Sequence, residues 1–338
     1  MKSRMSSKEL VTRAIEFTSP ERVPYNFDSN RTPVIGEKYG DDFEWVFADP
    51  DPDFRPRIKT DDEWETEFGI LYRRMGRTFG EAVGYPLTDA NAVEGYQLPA
   101  FNQPKRYLRM EQSVREHPDK YILGMFPHFL FQMQIDLFGF ENLMIELMDN
   151  RAKVEEMADR MMENCLQVVD CMADRGANGL IAIEDLGLQD RLIIAPDLWR
   201  EIYKLRMARI VEATHKRGMH FMSHTCGQIL DIIEDFIEIG VDVVQIDQQD
   251  NMGIDALASR YAGRVCFFCP VDIQTTLPGG SFAQIEAKAR HLMKAFGGKD
   301  GGFMAKTYPQ PEAIEIPEVN TKYMCEVFKR DGRYPLSF

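Results

Sequence analysis

The chain is short of several things, and each shortage excludes something. Cysteine is sparse, with six in 338 residues (Cys165, Cys171, Cys226, Cys266, Cys269 and Cys325). That is too few for a disulfide-stapled secreted fold, and reduced thiols in a cytoplasmic chain are the expectation. Positive charge is in deficit, with 40 Lys and Arg against 54 Asp and Glu for a net charge of −14. Such a chain repels phosphate backbones and anionic lipid heads, so neither nucleic acid nor a membrane surface is an expected partner. No apolar run has the length of a membrane span. The opening MKSRMSSKEL carries basic residues but no apolar run after them, so it does not read as a secretory signal. There is no Walker-type phosphate loop, no dinucleotide fingerprint and no Gly-x-Ser-x-Gly elbow. Internal repeats, low-complexity tracts and glycine-serine linkers are also absent.

What is present is a rhythm. Short apolar runs end at polar residues: 121–126 at His128, 179–183 at Glu184 and Asp185, 218–223 at His224, 241–246 at Asp247, 264–268 at Cys269, and 301–305 at Lys306. Buried parallel strands read as near-continuous apolar runs of this kind. Helical periods separate them at 196–217, 229–239 and 281–296, with Gly218 and Gly240 where helix-ending glycines belong. Strand–helix alternation implies a parallel sheet with crossover helices. With 22–27 as the first strand, about seven strands can be counted and an eighth cannot be placed. Residues 32–103 break the rhythm with many Asp, Pro, Arg and Gly. They read as an irregular insertion covering the barrel mouth within a single domain, 1–338, with a weak hairpin signal around Gly69. Alpha/beta barrels of this length commonly form one unit.

In a parallel barrel the chemistry sits where the strands end, because the following loops converge on one face. Those ends offer Asp28, His128, Glu184, Asp185, His224, Cys226, Asp247, Cys269, Asp272, Lys306 and Tyr308. The sharpest feature is SHTCG at 223–227. A His-x-Cys pair at a strand end can set an imidazole and a thiolate on one ion, and Zn²⁺ accepts both. The competing reading is a histidine bonded to a loop carbonyl beside a small buried cysteine. Glu184 is a candidate metal ligand or general acid–base group, or else a turn cap. Cys269 is a possible soft ligand, or a buried free thiol before a proline turn. Asp247 is a catalytic candidate, or a turn carboxylate. Lys306 is a candidate for holding an anionic group, or a solvated loop lysine.

These segments together resemble the uroporphyrinogen decarboxylase superfamily, which includes cobalamin-dependent methyltransferases. The resemblance runs through SPERVP (19–24), DEW (62–64), GFEN (139–142), EDLG with QD (184–190), IAP (194–196), HTCG (224–227), IGVD (239–242), VDIQ (271–274) and IPEVN (316–320). It implies a (β/α)₈ TIM-type barrel. The decarboxylases of the superfamily carry an arginine-rich segment near the amino end to grip substrate carboxylates. Here the corresponding stretch, NFDSNR at 26–31, has one arginine. The resemblance therefore points to the methyltransferase branch, similar to methylcobamide:coenzyme M methyltransferases and O-demethylase methyltransferases. It implies zinc on His224 and Cys226 and a corrinoid (cobalamin) carried by a partner protein. That branch has a distant third cysteine ligand, whereas the loop here reads KTYPQP at 306–311. The third ligand would then be Glu184, Cys269 or Tyr308, unless no zinc is bound. The expected activity is methyl transfer between a small methylated compound, such as an aryl methyl ether or thiol, and the corrinoid protein. Glu184, Asp247 and Tyr308 are the expected catalytic groups. Asp28, His128, Gln189, Asp272 and Lys306 are the expected substrate or cofactor contacts. The alternatives are a metal-free decarboxylase of a tetrapyrrole or other carboxylate, and a non-catalytic binding barrel in which Glu184, His224 and Cys226 do not converge.

Overall fold

The computed structural model describes residues 5–27, 33–76 and 80–338. Eight parallel strands form one sheet: β1 (Tyr25–Asn26), β2 (Phe43–Phe47), β6 (Tyr121–Met125), β7 (Gly179–Ile183), β8 (His220–Thr225), β9 (Val243–Ile246), β10 (Cys266–Cys269) and β11 (Phe303–Lys306). Their order is β1-β11-β10-β9-β8-β7-β6-β2. The two outer strands meet at Asp42. Its N–H donates to the Tyr25 carbonyl at 3.0 Å and its carbonyl accepts from the Tyr121 N–H at 2.9 Å. Its carboxylate takes the Tyr25 N–H at 2.9 Å and both arms of the Arg22 guanidinium at 2.7 Å. A single charge-satisfied aspartate thus stitches the seam, and the sheet curls into an α/β barrel of TIM type.

Strand alternation sorts side chains to two faces. Phe43, Tyr121, Leu123, Ile181, Met222, Val243, Phe268 and Met304 point inward and pack as one cluster with Val11, Ala14 and Ile15 of the helix Ser7–Ile15. That helix plugs the amino end of the barrel, so the interior is packed and only the carboxyl end is open to chemistry. Outward residues such as Phe221, Val244 and Phe267 join the larger core between strands and helices. Local chemistry supports the elements. Ser281 and Gln284 form a reciprocal capping box at the start of the helix Phe282–Phe296, worth about 1 kcal/mol. Gly218 and Gly240, at φ 72° and 90°, end their helices as expected. No described helix is long and apolar enough to cross a membrane.

The stretch 32–103 is not wholly irregular. It contains β2, the eighth strand, which pairs in parallel with β6 from Phe43↔Tyr121 to Phe47↔Met125. FEWVF carries a glutamate and lies among aspartates, so composition hid it. Beyond β2, the strands β3 (Glu63–Glu65), β4 (Leu71–Arg73) and β5 (Glu81–Gly84) form an antiparallel sheet. Gly69, at φ 76°, turns the β3–β4 hairpin. Arg106, fully buried, fastens this region by a two-point ion pair with Glu67 at 2.8 and 2.6 Å. Tyr72 reaches Asp136 on the barrel at 2.7 Å.

Candidate active site

The inward face at the carboxyl end carries polar residues in place of the apolar ones below. On β8, inward Met222 is followed two residues later by His224. On β9, inward Val243 is followed by Gln245 and Asp247. On β11, Met304 is followed by Lys306. On β7, Ile181 is followed by Ile183 and Asp185. This parity turns Asp185 toward the mouth and Glu184 away from it.

Asp185, His224 and Cys226 converge there. One ligand atom from each lies within 4.8 Å of the other two. The His224 Nε2 and Cys226 Sγ atoms are 3.7 Å apart. Tetrahedral Zn–N and Zn–S bonds would set such atoms about 3.6 Å apart, so the pair fits an edge of a zinc site. The loops after β7 and β8 are held together by a ladder that extends the sheet. The Glu184 N–H donates to the His224 carbonyl at 3.0 Å, the Gly187 N–H to the Cys226 carbonyl at 3.1 Å, and the Gln228 N–H to the Leu188 carbonyl at 2.7 Å. A Cβ at Gly187 would stand 2.5 Å from the Gln228 nitrogen, and one at Gly227 (φ 80°) would stand 2.2 Å from the Gly187 oxygen. Only glycine lets the loops approach this closely, and that approach brings Asp185 to Cys226.

Burial shapes the electrostatics. It lowers the His224 pKa from its ordinary value, which keeps the imidazole neutral and a potential ligand. It pushes the Cys226 thiol up, and the Asp185 and Asp247 carboxylates push it further. A thiol so placed becomes a thiolate when a cation joins the group. Close enough to act on the thiol, Lys306 donates to Asp247 at 2.6 Å in a pair almost wholly buried. Gln245, the register partner of His224, is buried as well. Among the described residues, neither the buried His224 Nδ1 nor the Gln245 Nε2 has a hydrogen-bond partner. Tyr308 is pushed up to about 12, first by burial and then by Asp247, Cys226 and Asp185, so its phenol is protonated at neutral pH. Tyr308 and Cys226 line a groove of about 680 Å³ beside the mouth.

Other expected site residues sit elsewhere. Glu184 lies on the outer face of β7. Its carboxyl accepts the Phe131 N–H at the start of the helix Leu130–Phe138, and burial pushes it up to about 8. Cys269 also faces outward, into the packing between strands and helices. Neither Glu184 nor Cys269 belongs to the group formed by Asp185, His224 and Cys226. His128 is enclosed, bonded to Asn164 at 2.8 Å and packed edge-on against Phe68, and burial pushes it down to about 4. Asp272 receives the N–H groups of Gln274, Thr275 and Thr276 and the Thr275 hydroxyl, which makes it the organiser of its loop. Gln189 accepts from Asn251 and Gln274 at the rim, at 2.9 and 3.1 Å. Asp28 lies outside the described residues. Sequence reasoning noted Asp185 as a strand-end residue but favoured its neighbour; counting alternate positions from inward Ile181 would have chosen Asp185. Gln245 carried no signal, because a lone glutamine in an apolar strand is chemically silent.

Comparison with known proteins gives this geometry a family. No curated protein matches the chain. A solved structure described as a methyltransferase from Methanosarcina mazei superposes with a TM-score of 0.71 at 15% identity, covering 97% of this chain and 99% of that one. A D-psicose 3-epimerase from Clostridium cellulolyticum H10 superposes with a TM-score of 0.46 at 8% identity, covering 91% and 96%. The sequence model of the family described as Uroporphyrinogen decarboxylase (URO-D) matches residues 129–307. That match spans more than half of the chain and includes strands β7 to β11 with their loops, so the chain belongs to the uroporphyrinogen decarboxylase family.

Proposed function

We propose that this protein is a methyltransferase that moves a methyl group between a small methylated compound and a corrinoid carried by a separate protein, with zinc held by Asp185, His224 and Cys226. The observation that carries the reading is the convergence of a carboxylate, an imidazole and a thiol within 4.8 Å at the barrel mouth. Three such ligands with a fourth position open are the donor set of a catalytic zinc site, and a neutral imidazole with two anions balances the charge of the ion. Zinc bound there would act as a Lewis acid on the heteroatom that carries the methyl group.

The chain's own groups do the remaining work. The methyl–heteroatom bond breaks with its electron pair staying on the heteroatom, and the new bond to carbon uses the electron pair of a Co(I) corrinoid, the co-reactant. The departing heteroatom then needs a proton. Tyr308 lines the same groove as Cys226. A phenol held near pKa 12 donates well to an alkoxide and poorly to a phenolate. The buried Lys306–Asp247 pair stands beside the group with its two charges balanced against each other.

Decarboxylation remains the second reading because of the family's description. A porphyrinogen with many carboxylates needs several fixed cations. The described residues lining the groove include no arginine or lysine, which favours methyl transfer. The test is a screen of methyl ethers, methylamines and methyl thioethers against free Co(I) cobalamin and zinc-loaded protein, with methylated cobalamin as the readout. Methylation dependent on the protein and lost in Asp185→Asn supports the reading. Release of CO₂ from carboxylate substrates without methylation from any donor would replace it with decarboxylation.

A further inference from the structure

The groove beside the mouth has a chemical character of its own. Its volume of about 680 Å³ is far larger than a one-carbon donor requires and falls in the range of sites for drug-sized ligands. It opens on the metal-binding corner, because Cys226 lines it. Ile273, Pro278 and Ile314 give it an apolar wall, Tyr308 an aromatic one, and Thr275 and Glu315 a polar rim.

Its charges are of one sign. Glu315 is the only Asp, Glu, Lys or Arg among the described lining residues. It is held at φ 57°, in the left-handed region that side-chain-bearing residues rarely adopt. Asp185, next to Cys226 at the inner end, adds a second carboxylate only in the metal-free protein, because zinc would compensate it. Lys306, close to Cys226, is committed to Asp247 at 2.6 Å and is almost wholly buried. An anionic ligand lying along this groove away from the metal corner would meet the Glu315 carboxylate and find no lysine or arginine among the described lining residues, an unfavourable pairing moderated by solvent at the exposed rim. A neutral ligand meets apolar walls and hydrogen-bonding groups, and a cationic one also meets Glu315 and the face of Tyr308.

We infer that this groove binds the body of the methyl donor and that the donor is a methylated compound with an apolar body and no acidic group, neutral or cationic, a class that rests on the methyl-transfer reading. The experiment is calorimetric titration of the full-length protein, metal-free and zinc-loaded, with three probes of one shape: 4-methoxybenzyl alcohol, (4-methoxyphenyl)trimethylammonium and 4-methoxybenzoate. The alcohol and the ammonium are expected to bind at least tenfold more tightly than the carboxylate. Gly279 lines the groove, and a Cβ there meets nothing within 4 Å, so a large side chain is accommodated at its wall without a clash. Gly279→Trp is therefore expected to abolish probe binding with zinc content and melting temperature unchanged. Glu315→Lys is expected to tighten carboxylate binding at least threefold.

Carboxylate binding equal to or tighter than the others, binding that survives Gly279→Trp, or no binding of any probe at millimolar concentration overturns the inference. The two readings fail separately. Methyl transfer from a carboxylate-bearing donor in preference to its neutral analogue sinks the donor class and leaves methyl transfer standing. The predicted probe order without any methylation of cobalamin sinks methyl transfer and leaves the groove's preference intact.

Discussion

Gly187 and Gly227 meet backbone to backbone: a Cβ built on Gly227 would stand 2.2 Å from the Gly187 carbonyl oxygen. This contact sets the spacing of the loops that carry Asp185 and Cys226. Gly227→Ala adds that clash to a left-handed φ of 80°, and about 2–4 kcal/mol of stability is expected to be lost. Zinc affinity is expected to fall at least tenfold, because Asp185 and Cys226 are pushed apart. Urea unfolding of the metal-free protein and a zinc competition titration check both; unchanged affinity would mean that the loops do not set the ligand spacing.

Glu184 gives a stability signal with a defined sign. Its folded pKa is raised from 4.5 to about 8, mainly by burial. Between these values the folded state keeps a proton that the unfolded chain has released. Its contribution is fully favourable below about pH 4.5, declines as pH rises toward about 8 and is constant above that, a total change of a few kcal/mol. Glu184→Gln keeps an acceptor for the Phe131 N–H and cannot ionise. The difference in unfolding free energy between variant and wild type should therefore grow in the variant's favour across this interval and then level off. A flat difference would mean that Glu184 is not held protonated.

The Lys306–Asp247 pair, with side chains 6% and 2% exposed, should behave as a unit. Lys306→Met or Asp247→Asn alone leaves one buried charge without a partner and is expected to cost about 3–5 kcal/mol. The double variant should cost less than the two single changes added together. A thermodynamic cycle by chemical denaturation measures the coupling, and strict additivity would contradict the pairing.

If Tyr308 supplies the proton, Tyr308→Phe is expected to lower kcat by about 10²-fold with alkyl methyl ethers. The loss should be smaller with aryl methyl ethers, whose phenolate leaves with less need of a proton. Zinc content should not change. Equal losses for both donor types would assign Tyr308 to binding.

The barrel's second half was legible in the amino-acid order because buried parallel strands are apolar along their whole length; VVQI and CFFC are buried at every position. Strand β2 escaped notice for the opposite reason. It pairs on one side only with a full ladder and keeps intermediate exposure at Glu44 and Trp45, so its pattern mixes charge with bulk. His224 and Cys226 were legible because a His-x-Cys pair at a strand end is chemically unusual. Their third companion required side-chain direction: adjacent carboxylates at 184 and 185 differ by one step of the pleat, and that step separates a buried helix cap from the mouth of the barrel. The contact between Gly187 and Gly227 is long-range, so local sequence could not reveal it.

The most direct test of the central claim is the zinc content of the untagged protein, determined by elemental mass spectrometry for the wild type, Asp185→Asn, His224→Ala/Cys226→Ala, Glu184→Gln and Cys269→Ala. About one zinc per chain is predicted in the wild type, Glu184→Gln and Cys269→Ala, with loss in the two variants that remove members of the group formed by Asp185, His224 and Cys226. Absence of zinc from the wild type after incubation with excess metal, or zinc retained without Asp185 and lost without Glu184 or Cys269, would contradict it.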